Sequence, residues 1–211
     1  MVKVKICGLT NLADYNAAIR LGTDYTGFIF YPQSPRALSS EKAAKIIRQG
    51  MQGSHQKIGV FVNDSIERIR SVYEEVGLDI VQLHGDESPH FCRELGLPYW
   101  KAIRIQDEHS LNLIQRHNCR FFLLDTFKKN TYGGTGIMFD LNIGTKAIQT
   151  GKKIIIAGGV SAVNIHRVIT LNPFAVDVNS SIEDKPGRKN PKKMEEFFNK
   201  IKNLQEEHHV S

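Results

Sequence analysis

Short apolar runs alternate with longer amphipathic stretches along the whole chain. The runs Val2–Ile6, Tyr25–Phe30, Lys57–Val62 and Ile80–Leu83 have strand length and are bounded by Gly, Pro, Asn, Asp or Ser. Trp100–Ile103, Phe121–Asp125, Lys153–Ala157 and Ala175–Val178 continue the series. Between them, helical spacing of apolar residues and capping side chains predict helices. The first two cover Leu12–Leu21 and a segment capped by Ser39 or Ser40 that runs through Gln49. A third opens at Asn63-Asp64-Ser65 and ends near Gly77, followed by Ser88–Leu95 and Glu108–Arg116. Leu141–Gln149, Val163–Ile169 and Pro191–Asn203 complete the set.

Strands such as Phe121-Phe122-Leu123-Leu124 are apolar without a break, which marks a sheet covered on both faces and therefore parallel. An open doubly wound sheet alternates in the same way. Eight units with no linker and no break in composition predict closure instead: α/β class, a compact (β/α)8 TIM barrel, one domain over residues 1–205. Residues 206–211 are polar and are expected to form a frayed tail.

Composition narrows the partners. The 211 residues are 41% hydrophobic and 24% charged, enough for one sizeable core. No apolar run approaches the ~20 residues of a membrane span and no charged-then-apolar leader precedes the first strand. A cytoplasmic protein with no membrane partner is expected. Three cysteines, with no CxxC pair, speak against a disulfide framework and a structural zinc site. The net charge of +6 admits anionic ligands, phosphates among them. The basic residues are scattered, and their densest clusters, Lys128-Lys129 and 188–193, lack interleaved aromatics. No nucleic-acid partner is expected.

In such a barrel chemistry collects where strands end. The residues at or just beyond those ends are Cys7, Arg36, Asn63, His84, Arg104 and Asp125, then Gly158-Gly159, and Asp177 with Asn179-Ser180-Ser181. Gly158-Gly159 and Asn179-Ser180-Ser181 follow adjacent strands, where freed backbone N–H groups cradle a phosphate; glycine at a strand-to-helix turn is also plain structure. Gly133-Gly134-Thr135-Gly136 is either a lid over the same anion or a flexible loop. Asp125 ends an apolar wall, where desolvation suits a general acid, and a turn aspartate is the bland alternative. Cys7 is a base if its thiol is partly ionised, and otherwise a small apolar residue closing a strand. Arg36 leaves a Pro-flanked loop as a restrained fork for a carboxylate, unless it is a surface arginine. His84 is a base candidate or a loop histidine satisfied by backbone.

Read together, Lys5-Ile6-Cys7-Gly8-Leu9-Thr10, Ser34-Pro35-Arg36, Gly59-Val60-Phe61-Val62-Asn63 and Val81-Gln82-Leu83-His84-Gly85-Asp86-Glu87 closely resemble the motifs of the phosphoribosylanthranilate isomerase family. So do Leu124-Asp125, Gly133-Gly134-Thr135-Gly136, Ala157-Gly158-Gly159 and Val176-Asp177-Val178. The resemblance implies an Amadori rearrangement of N-(5′-phosphoribosyl)anthranilate in tryptophan biosynthesis, with Asp125 as acid and Cys7 as base. It implies that Arg36 holds the anthranilate carboxylate and that Gly158, Gly159, Ser180 and Ser181 hold the phosphate. His84, Asp177 and Gly134 join the substrate-binding set. The iminium intermediate is its own electron sink, so the resemblance implies no metal and no organic cofactor.

The partner expected is thus a phosphorylated aminosugar, bound by a monomer or a homodimer. One departure stands out: the family usually reads Ser-Ser-Gly where this chain has Asn179-Ser180-Ser181, so a side chain at Ser181 either crowds a phosphate contact or adds a hydroxyl donor. Two other readings stay open: a related aldose–ketose isomerase of the histidine pathway, and a phosphometabolite-binding barrel without catalysis. The first is expected to carry an aspartate where this chain has Cys7.

Overall fold

The computed structural model describes residues 1–126 and 138–210. Within them β1 (Lys3–Ile6), β2 (Tyr25–Ile29), β3 (Gln56–Phe61) and β4 (Ile80–Leu83) pair in parallel, in sequence order. The series continues through β5 (Tyr99–Ile105), β6 (Phe121–Thr126), β7 (Lys153–Ile156) and β8 (Ala175–Val178). β8 then pairs with β1, with Lys5 opposite Asp177, and closes the barrel. The expected α/β barrel is therefore the fold, and each predicted strand is found.

Helices α1 (Leu12–Arg20), α2 (Ser40–Gln49), α3 (Ile66–Val76) and α4 (Pro89–Leu95) start where a side chain accepts a free backbone N–H. Asn11, Ser39, Ser65 and Ser88 are those caps. α3 stops at Gly77, whose φ of +68° lets its N–H reach back to the Tyr73 and Glu74 carbonyls. After α5 (Asn112–Arg116) come α6 (Leu141–Gln149), α7 (Ile165–Ile169) and α8 (Pro191–Val210).

Three segments depart from the sequence reading. Glu108–Arg116 is not one helix: Glu108–Leu111 is a 3-10 turn, held by a reciprocal cap between Asp107 and Ser110, before α5 begins. α8 runs to Val210, so residues 206–210, expected as a frayed tail, continue the helix. Met194, Phe197 and Ile201 bury its inner face, and Gln205 donates to the Val2 carbonyl at 2.9 Å. Between β8 and α8 lies an unpredicted hairpin of β9 (Glu183–Lys185) and β10 (Arg188–Lys189), turning through Gly187 at φ +80°. Its strands are too short and too charged to show a strand pattern.

Period-two alternation sorts the strand residues into two cores. Val4, Ile6, Phe28, Phe61, Leu124 and Ile156 face outward and pack under the helices. Tyr25, Ile58, Trp100, Leu123, Ile155 and Ala175 face inward as a separate apolar cluster that fills the barrel floor. Further along the same inward rows the residues turn polar: Lys5 and Cys7, Gln82 and His84, Arg104, Asp125 and Asp177. The lumen is thus apolar at one end and chemically armed at the other.

Candidate active site

The armed end opens into a cavity of about 580 Å³. Cys7, Arg36, His84, Asp125, Asp177 and Ser180 all line it, and so do Gly158 and Gly159. Six of the eight strands, or the loops that follow them, deliver these groups, which are far apart in the chain and meet only because the barrel closes.

On one wall, β1 sends Lys5 and then Cys7 inward. Lys5 is completely buried, and its Nζ lies 2.8 Å from Oδ2 of Asp177 on β8. Burial alone would lower the pKa of this ammonium, but Asp177 and Cys7 together hold it above the ordinary lysine value. The Cys7 thiol is pushed up by burial, against the pull of the Lys5 charge. Asp177 also has its proton affinity raised by burial, with Lys5 opposing. Its Oδ1 is buried and has no hydrogen-bond partner among the described residues.

Across the lumen, Asp125 ends β6, almost fully buried. Its Oδ1 accepts the Thr126 N–H at 2.8 Å and its Oδ2 lies 3.2 Å from Nε2 of His84. His84 Nδ1 lies 2.8 Å from the Gln82 amide nitrogen. With the amide donating to Nδ1, the imidazole proton sits on Nε2 and points at Asp125. His84 is therefore neither idle nor satisfied by backbone. Glu87 supports its loop by accepting the N–H groups of Asn63 and Gly85 and the ammonium of buried Lys101, which also donates to the Leu83 and Gly85 carbonyls.

Gly158 and Gly159 have φ of +68° and +79°, a conformation that side chains resist. A Cβ on Gly158 would stand 2.6 Å from Asp125 Oδ1 and 2.5 Å from Thr126 Oγ1, so only a bare backbone fits beside Asp125. In the neighbouring 3-10 turn, Ser180–Ile182, the Ser181 hydroxyl donates to the Val160 carbonyl at 2.5 Å. That bond ties the two turns together and commits the hydroxyl, so Ser181 can offer a bound anion its N–H only.

Arg36 is buried, not a surface arginine. Glu183 of the hairpin takes its Nε at 2.9 Å and its Nη2 at 2.6 Å. Lys189, fully buried, then bonds Glu183 at 2.9 Å and the Asn179 side chain at 2.8 Å. Burial would raise the Glu183 pKa, but the Arg36 hydrogen bonds and the Lys189 charge outweigh it and hold the carboxyl below its ordinary value. Arg36 also lines the cavity.

Comparison with known proteins shows the family. The sequence profile of N-(5'phosphoribosyl)anthranilate (PRA) isomerase matches residues 4–200. The chain belongs to that family of enzymes. An N-(5'-phosphoribosyl)anthranilate isomerase of Pelobacter propionicus is 42% identical over 98% of this chain and 99% of its own. The solved phosphoribosyl anthranilate isomerase of Thermus thermophilus superposes with a TM-score of 0.89 at 30% identity, covering 96% of this chain and all of its own. A further isomerase of the family, solved in complex with reduced 1-(o-carboxyphenylamino)-1-deoxyribulose 5-phosphate, gives a TM-score of 0.80 at 33% identity, with 96% and 100% covered.

Of the residues that the family resemblance singled out, Cys7, Arg36, His84, Asp125, Asp177, Gly158, Gly159 and Ser180 share one cavity. Ser181 does not line it, and Gly134 lies outside the described residues. Sequence reasoning missed Lys5, Gln82, Glu183 and Lys189. For Lys5 a signal existed, since it sits two residues before Cys7 and shares its face. For Glu183 and Lys189 there was none, because their hairpin carries no pattern.

Proposed function

We propose that this chain isomerises N-(5′-phosphoribosyl)anthranilate to 1-(2-carboxyphenylamino)-1-deoxyribulose 5-phosphate, the Amadori step of tryptophan biosynthesis. Asp125 gives a proton to the furanose ring oxygen. The C1′–O bond then breaks, and the anilino nitrogen lone pair closes a C1′=N iminium. Cys7, as thiolate, takes the C2′ proton; those electrons form C1′=C2′, and the nitrogen recovers its pair. The enolamine passes its hydroxyl proton to solvent and gains one at C1′, which leaves the ketone.

The observation that carries this reading is one cavity that brings together the Cys7 thiol, the Asp125 carboxyl, the Arg36 guanidinium and the Gly158-Gly159 turn. Arg36, oriented by Glu183, suits the anthranilate carboxylate, and the Gly158-Gly159 turn with Ser180 suits the phosphate. Holding both ends of the substrate sets C2′ between base and acid, which is where such a site gains its rate. His84 keeps the Asp125 carboxyl turned toward the lumen.

Turnover of N-(5′-phosphoribosyl)anthranilate, followed by the fluorescence of its anthranilate group, tests the reading. Asp125→Asn and Cys7→Ser are each expected to lose about 10²–10⁴-fold in kcat, the usual worth of a general acid or base. No turnover by the unaltered protein would overturn the activity. Unchanged turnover in both variants would overturn the assigned roles alone.

A further inference from the structure

The proposed mechanism needs a thiolate, yet burial pushes the Cys7 thiol up. A buried ion pair two residues away has no need to be there for stability, because apolar residues of similar volume commonly serve as well or better. Lys5 and Asp177 form such a pair at 2.8 Å, in register across the β1–β8 closure. A Cβ on Gly27 of β2 would stand 3.0 Å from Cys7 Sγ and 3.2 Å from Lys5 Cε. Thiol and lysine stem therefore converge on the same bare stretch of strand. Asp177 still has one buried oxygen without a partner among the described residues.

We propose that Lys5 is the counter-ion of the Cys7 thiolate, a positioning residue whose ammonium holds one negative charge that resides on Asp177 or on Cys7. The inference rests on the reading of Cys7 as the base. Ionisation breaks the S–H bond and leaves its electron pair on sulfur. The proton forms an O–H bond at Asp177 Oδ1, and Lys5 keeps all three of its protons. No net charge is created in the barrel, so the step avoids the cost of placing a new anion in a low-dielectric interior. The charged groups that act on Cys7 among the described residues are Lys5 from its own strand, Asp177 from β8 and Lys189 from β10. Lys189 is already tied to Glu183 and Asn179, and β2 presents the bare Gly27 on that side. Asp125 and His84 act through Asp177.

The test is the pH dependence of Cys7 alkylation by iodoacetamide, read on the Cys7 peptide by mass spectrometry, since only the thiolate reacts. Lys5→Met is expected to move the midpoint up by about one pH unit or more, the usual effect of losing an opposite charge at close range. Asp177→Asn, which frees the ammonium for sulfur alone, is expected to move it down. The double variant removes both charges together and keeps the test alive if Lys5→Met does not fold; its midpoint should lie above that of the unaltered protein. A midpoint that stays put in these variants, or rises in Asp177→Asn, overturns the proposal. Alkylation needs no turnover, so a catalytically competent Cys7→Ser would remove the base reading while the shifts still decide the ion pairing.

Discussion

At the residue scale, the arginine that the Pro-flanked loop delivers is only as useful as the carboxylate behind it. Glu183 occupies the Nε–Nη2 edge of Arg36, so the fork is fixed before any substrate carboxylate arrives. Glu183→Gln should loosen that fork and raise KM more than it lowers kcat, because it weakens binding at one end of the substrate. It should also destabilise the fold at pH 7 by roughly 3 kcal/mol, the order seen when one partner of a buried pair is removed. The sign with pH follows from a carboxyl held below its ordinary value of 4.5 in the folded chain. Its contribution is fully present above that value and disappears as pH falls below it. Urea midpoints of the two proteins should therefore differ at neutral pH and converge in acid. A gap that persists unchanged into acid would show that the charge of Glu183 is not what the fold depends on.

Elements set the next scale, and the turn after β7 is the one most tightly bound to chemistry. Gly158 has a positive φ and packs against Asp125 and Thr126, whereas Gly151 has φ +74° with nothing within 4 Å of its missing Cβ. Alanine at Gly151 should cost about 1–2 kcal/mol of stability from backbone conformation alone and leave kcat intact. Alanine at Gly158 should carry the same backbone cost and also displace the acid, lowering kcat at least about tenfold, since small misplacements in a site are expensive. Assay and thermal melting of the two variants side by side separate the effects; equal kcat in both would sink the claim. The same scale shows what a sequence can and cannot display. Helices announced themselves through apolar spacing and caps such as Ser39 and Ser65. The β9–β10 hairpin did not, because five charged or polar residues have no periodicity and are held by side chains from other elements. Gly187 accepts a hydrogen bond from Thr10, and Lys189 donates its N–H to Asp14 at 2.8 Å.

For the whole molecule, the inward face of the barrel changes character along its axis, and that gradient separates stability from catalysis. The strand-end rule made Cys7, His84, Asp125 and Asp177 visible in the sequence, because reactive residue types stand out where apolar runs stop. It could not reveal which of them touch, since the Lys5–Asp177 and Arg36–Glu183 contacts join residues 172 and 147 positions apart. Below them the floor needs no reactive groups. Trp100, the chain's single tryptophan, meets Tyr25 edge-on at 4.9 Å between centroids and stacks on Phe121 at 6.1 Å. Trp100→Ala should cost about 3–5 kcal/mol, as large-to-small changes of buried aromatics do. Because the floor of such barrels serves stability and the mouth serves chemistry, kcat of the folded fraction should stay within about twofold. Asp125→Asn should do the reverse, lowering kcat by about 10²–10⁴-fold with a smaller loss of stability than Trp100→Ala, since the amide keeps the volume and can keep the bond from the Thr126 N–H while giving up only the His84 contact. Far-UV circular dichroism in urea and turnover at low temperature read the two properties independently. If emptying the floor slows catalysis as much as it lowers stability, the two ends of the lumen are mechanically coupled and their division of labour is wrong.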